Sequence, residues 1–296
     1  MRFQGKGFAV VFMIASALLF SAMQMSSSLC ASIPPMEQLF FRNVASILMY
    51  LCIRKKGISF VGTKKQQPAL FAWSICGAMS VFFLYFAAGF GDQAGLTIIA
   101  RTSGFMVVIF AAVFLKEKVA KVQYLAVVLA FLGAAMTASP SGGSGIGGNP
   151  TALVLAFASA TFSALASLFL GLLKNKVHAL TVAIHFSLVS LVISFPFVLF
   201  DFVMPRGPQW IFLALIGIFG GLGQITQMMS FERAPINETN VFGYSGIIFS
   251  MALGAIFMHE SLSFGAVAGG GIVILASLWS YWSENRAARR QLIKEN

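Results

Sequence analysis

Few residues in this chain can do chemistry, and those that can mostly fall inside long apolar stretches. Arg101 is the most informative. It lies about eight residues into an apolar run that begins near residue 93, so at ~1.5 Å per residue it sits roughly 12 Å below the end of that run. A cation so deep in hydrocarbon costs roughly 2.5–3.5 kcal/mol, and such residues usually face the interior of a helix bundle. Arg101 therefore reads as a fixed positive charge for the carboxylate or phosphate of a solute, or as a structural cation that pairs locally or reaches toward Asp92. Arg42 lies about seven residues into its own run, with Gln38 one turn earlier and Glu37 nearby. For it the favoured reading is snorkelling or pairing within its helix. His185 could relay protons near neutral pH, but a satisfied packing role is favoured. Gln224 and Gln227 are three apart and share a helical face. With Tyr244, Tyr85 and Gln24 they could line a cavity that holds a polar solute, or bond neighbouring helices. The candidate substrate-binding set is Arg101, Gln227, Gln224, Tyr244, Tyr85 and Gln24.

Other polar residues point to structure. Glu117 and Glu260 end apolar runs beside Lys116, Lys118 and His259, where a carboxylate opposes the helix dipole. They read as hinge or capping groups. Glu232, Asn237 and Glu238 cluster at one turn, where a role in holding a coupling ion has weak support. Gly143 to Gly148 fits GxGxxG, but no strand precedes it and Pro150 follows, so it reads as a linker. His259-Glu260 lacks the second histidine of a zinc motif. The histidines (His178, His185, His259) lie far apart in the chain, so no catalytic cluster, metal site or cofactor is expected. Cys30, Cys52 and Cys76 show no paired spacing and read as inert thiols.

Only 10% of the residues are charged and 58% are hydrophobic, against about 25% charged in a soluble domain. A water-facing surface could not be built from this composition. At roughly 20 residues per span, the chain accommodates ten: 8–30, 35–53, 69–88, 93–115, 121–138, 150–172, 179–200, 209–230, 236–258 and 264–283. The breaks carry Pro34-Pro35, the basic run Arg54 to Lys65, Lys116-Glu117-Lys118, Ser139 to Gly148, Lys174 to His178 and Pro205 to Pro208. With the N-terminus inside, seventeen of the 20 Lys and Arg fall inside, only Arg206 outside, and Arg42 and Arg101 within spans. That is the positive-inside pattern. It predicts a multi-pass inner-membrane protein with both termini cytoplasmic, and it accounts for the net charge of +11 without nucleic acid. Reading Arg2, Lys6 and the first run as a cleaved signal would leave nine spans and upset that bias.

Ala111 to Glu117 overlays Gly254 to Glu260 at an offset of 254 − 111 = 143 residues. The same offset pairs Arg42 with His185 and Arg101 with Tyr244. Five spans per half is odd, so the halves are expected to run inverted, a plan common in secondary transporters. Gly217 and Gly221, and Gly265 and Gly269, form GxxxG pairs that allow close helix approach. The expected organisation is a first repeat at 1–138, an external linker at 139–149, an inverted second repeat at 150–283 and a basic tail at 284–296.

The helices that end in Phe114-Leu115-Lys116-Glu117 and Phe257-Met258-His259-Glu260, with Ala100-Arg101-Thr102-Ser103-Gly104 leading into the first, resemble the EamA-type repeats of the drug/metabolite transporter superfamily. The resemblance spans about 8–283. It implies ten helices around a central cavity and transport of a small organic metabolite. The expectation is a secondary transporter, not an enzyme, that moves an amino acid or similar carboxylate-bearing solute by alternating access. Transport of nucleotide-like metabolites is the alternative, and a channel or non-transporting scaffold a further rival. The partners implied are the lipid bilayer and a small-molecule substrate, with a coupling proton or sodium left open, as is the oligomeric state.

Overall fold

A computed structural model describes residues 2–53, 62–88, 102–114, 121–138, 150–173, 176–234, 236–257 and parts of 264–283. Long apolar runs with few interior breakers become α1 (Arg2–Ser28), α2 (Pro35–Ile53) and α3 (Gln67–Ala88). They are followed by α4 (Ser103–Phe114), α5 (Lys121–Ala138) and α6 (Pro150–Leu173). Next come α7 (Ala179–Phe200), α8 (Gln209–Arg233), α9 (Ile236–Gly243) and α10 (Ser245–Phe257). Pro35 and Pro150 open their helices, where a missing N–H costs nothing. His178 caps α7 by accepting from the Leu180 N–H at 3.1 Å.

One boundary departs from the expected pattern. The continuous run 236–258 is broken at Tyr244 into α9 and α10. Tyr244 N–H donates to Val241 O at 3.2 Å and Ile247 N–H to Tyr244 O at 3.0 Å. These are three-residue bonds, so the backbone tightens there instead of continuing as an α-helix. No proline marks the spot, and Tyr244 is held by packing in a small buried cluster with Ala276, Leu129, Ile247 and Ile248.

Bonds between turns locate the two ends of the bundle. Gln66 donates to Lys176 O, and the Ala179 N–H donates to Glu232 Oε1 at 2.8 Å. Lys64, Lys65, Lys176 and Arg233 share this end, here called the basic end. At the opposite end Gln209 Nε2 donates to Ser32 Oγ at 2.8 Å, and Val203 N–H to Glu37 Oε2 at 2.9 Å.

The helices pack mainly across the two halves of the chain. α1 lies on α8 and α10, and α6 lies on α3 and α4; α2 lies on α8 and α7, and α3 on α7. Hydroxyls donate across these contacts to helix carbonyls, which gives each O–H a partner that hydrocarbon would withhold. Ser16 Oγ donates to Gly223 O at 2.8 Å, and Ser159 Oγ donates to Ser80 O at 2.7 Å. The second bond repeats the first with the halves exchanged, since 159 − 16 = 143 and 223 − 80 = 143.

Buried apolar side chains gather in one large cluster and several small ones. In the half nearer the basic end, one apolar cluster joins Met13, Trp73, Val107, Leu170, Phe186, Met228 and Phe242 from seven helices. Among the described residues the remaining clusters are small: Tyr50, Leu180, Ala183 and Ile184 join α2 to α7 near the basic end, and two lie toward the opposite end. Cys30, Ile33, Leu213 and Ile216 join α8 to the turn after α1, and Ala87, Ala152 and Ala156 join α3 to α6. Six helices among the described residues are long and apolar enough to cross a membrane, on length and composition. Large apolar side chains such as Val154, Val192 and Ile211 cover the exterior, as a chain in lipid requires.

Candidate functional site

The first half reaches the interior through a polar stripe on α2: Gln38, Arg42, Ser46 and Tyr50, each four residues on and so on one helical face. Its outer members serve connecting turns. Gln38 Nε2 donates to Cys30 O at 3.0 Å and Ile33 O at 2.9 Å, and Glu37 is taken up by Val203. The inner members face α8, where Ser46 Oγ donates to Gly217 O at 2.9 Å and Tyr50 Oη to Gly221 O at 3.1 Å.

Arg42 does not snorkel to the end of its helix. Its guanidinium carbon lies 5.8 Å from the centre of the Phe186 ring on α7. Gly220 of α8 makes room for it: a Cβ there would fall 2.6 Å from Arg42 Nε and 2.8 Å from Met23 Sδ. The signal for this was present in sequence as the four-residue spacing of the α2 stripe opposite the glycine run of α8. Reading Arg42 against Glu37 and Gln38 alone missed it.

α8 then orders the remaining residues. Gly217 and Gly221 face α2, while Gly223 faces Phe20 and Leu19 of α1. At about 100° per residue, Gly220, Gln224 and Gln227 occupy the sector between those two contacts. Gln224 is 8% exposed and makes no hydrogen bond among the described residues. The structure thus brings Arg42, Gln224 and Gln227 to one interior sector. Gln24 is exposed on α1, one turn beyond Ser21, which bonds Gly246 O on α10.

Tyr244 belongs elsewhere: it is buried at the α9–α10 break, with its hydroxyl against Gly104 of α4, where a Cβ would lie 2.2 Å from Oη. Tyr85 lies on α3, and Arg101, Glu117 and Glu260 lie outside the described residues. His185 is buried, with Nδ1 2.8 Å from Ser74 Oγ and its ring edge-on to Phe71. That is the satisfied packing role. Glu232 stands at the basic end beside a cleft of about 20 Å³ lined by Leu173, Val182, Met228 and Phe231. A cleft that size has room for a water and is far too small for a metabolite. Among the described residues no group of His, Cys, Asp or Glu could hold a metal ion.

Comparison with known proteins bears on the repeat and the fold rather than on single residues. The model of the EamA-like transporter family matches the chain twice, at residues 7–139 and 150–282. The two matches are 150 − 7 = 143 residues apart, the spacing of the paired Ser16 and Ser159 bonds. The chain is similar to the pseudopaline exporter CntI of Pseudomonas aeruginosa, at 27% identity over 91% of this chain and 94% of that protein. It is also similar to human solute carrier family 35 member G1, at 26% identity over 92% of this chain and 78% of that protein. A solved crystal structure with 17% sequence identity shares the fold, with a TM-score of 0.81 over 95% of this chain and 99% of the other.

Proposed function

The chain belongs to the EamA-like transporter family, and on that premise we propose that it is a secondary transporter carrying a small carboxylate-bearing metabolite across the inner membrane by alternating access. The working unit is two inverted five-helix halves, ten spans in all, with both termini cytoplasmic. The observation that carries this reading is the exchange packing: α1 on α8 answers α6 on α3, and α1 on α10 answers α6 on α4. Helices related in this way can rock against one another around a site between the halves. The Lys and Arg bias supports the orientation. Arg42, Gln224 and Gln227 supply a cation and two amides at one sector of that interface; Arg101, Tyr85 and Gln24 remain the sequence-based members of the site, while Tyr244 lies apart from that sector. An arginine takes phosphate as readily as carboxylate, so nucleotide-like anions are the second reading.

Counterflow in proteoliposomes tests the proposal, with pseudopaline, a panel of amino acids and uridine monophosphate as solutes. Saturable uptake stimulated by solute on the far side is the expected result. Linear, non-saturating flux means a channel, and no flux for any solute would remove the transporter reading for this panel.

A further inference from the structure

We propose that Arg42 is the fixed charge that selects an anionic group on the transported solute, and that the solute meets it from the end of the bundle opposite the basic loops. The transporter reading supplies the existence of a solute; the geometry supplies the residue and the side of access.

Four observations converge on Arg42. Its guanidinium rests against Phe186, a member of the apolar cluster that fills the half nearer the basic end. The charge therefore lies at the edge of a seal and not at the membrane surface. Second, α8 omits a side chain at Gly220, where any Cβ would collide with Arg42 Nε, so the lodging of this cation is built into the neighbouring helix. Third, Gln224 stands one turn along from Gly220 in the same sector, buried and without a hydrogen bond among the described residues. Its amide is not among the fully buried unpartnered groups of the described residues, so it stays within reach of a solute or water. Fourth, the cluster that joins seven helices lies in the half nearer the basic end, and among the described residues only small clusters lie toward the other end, so that side offers the route to a half-buried guanidinium. A cation held in an interior of low dielectric attracts an anion far more strongly than one in water, and a bidentate guanidinium suits an oxyanion.

The test needs no knowledge of the natural solute. In a background with Cys30, Cys52 and Cys76 replaced by serine, Gln224→Cys and, separately, Met23→Cys serve as reporters. Each is labelled in right-side-out vesicles with anionic sulfonatoethyl methanethiosulfonate and with its cationic trimethylammonioethyl counterpart. The expected result is labelling from the outside with a preference for the anionic reagent. That preference should fall about tenfold in Arg42→Gln and survive in Arg42→Lys. A merely structural arginine would not alter the charge preference of a neighbouring thiol. Variants are compared only where size-exclusion profiles match the parent, and Met23→Cys replaces Gln224→Cys if that one does not. The proposal is overturned if the preference is unchanged by Arg42→Gln, or if neither thiol is labelled until the protein is denatured. Loss of the preference with no counterflow for any solute would instead sink the transporter reading and leave the anion site standing.

Discussion

Gly217→Ala probes a close approach between the two halves. An ideal Cβ at Gly217 would lie 2.2 Å from the Ala45 Cβ, with Arg42 O at 3.1 Å. Ordinary contact begins near 3.4 Å, so the shortfall is 3.4 − 2.2 = 1.2 Å. Neither carbon can rotate away, because each is fixed by its own backbone. α2 and α8 must therefore separate by about that distance. Separation stretches the Ser46–Gly217 bond from 2.9 Å and the Tyr50–Gly221 bond from 3.1 Å, both past hydrogen-bonding range. Two interhelical bonds in a membrane are worth roughly 0.6 kcal/mol each, and overpacking adds about 1–3 kcal/mol. Alanine returns about 1 kcal/mol of helix propensity. The net loss is then about 1–3 kcal/mol, or roughly 5 °C in Tm at about 2–4 °C per kcal/mol.

Thermal melts followed by size-exclusion chromatography in detergent measure that loss. Gly7→Ala is the control: nothing lies within 4 Å of its Cβ position, so it should melt at or above the parent. Ala45→Gly combined with Gly217→Ala removes the colliding carbon, and the pair should recover most of the loss as a positive coupling. If Gly217→Ala melts with Gly7→Ala, the approach of α2 to α8 described here is wrong.

Two further outcomes follow from single contacts. Glu232→Ala leaves the Ala179 N–H, bonded at 2.8 Å, without its acceptor at the start of α7. That should cost about 1 kcal/mol, while Glu232→Gln keeps an oxygen there and most of the Tm; equal melts for the two variants would show that the bond contributes nothing. Cys52 is exposed, whereas Cys30 and Cys76 are buried. Intact mass should therefore show one maleimide added to the folded protein in detergent and three after denaturation, and a second rapid addition before unfolding would contradict the burial of Cys30 or Cys76.

Some of this was legible without coordinates, for a simple reason. Hydrocarbon demands long apolar helices and admits few charges, so composition and the lengths of the apolar runs mark a multi-helix membrane protein on the chain itself. Offsets within one chain are equally visible, and the 143-residue repeat read from Ala111 and Gly254 reappears in the Ser16 and Ser159 bonds. His185 as a packing residue was also read correctly from its isolation.

Tertiary structure decided what depends on neighbours from the other half. Arg42 and Gln38 look alike in sequence, a polar pair one turn apart near a helix end. Gln38 is spent on the turn before α2, while Arg42 points inward because α8 lacks a side chain at Gly220. Gln224 and Tyr244, both plausible cavity residues by type, go to different sectors. α8 turns Gln224 toward the gap between α1 and α2, and the tightened backbone at Tyr244 directs that ring against α4. A side chain's type is written in the sequence, but the space it points into is made by residues more than a hundred positions away, as Gly220 makes it for Arg42.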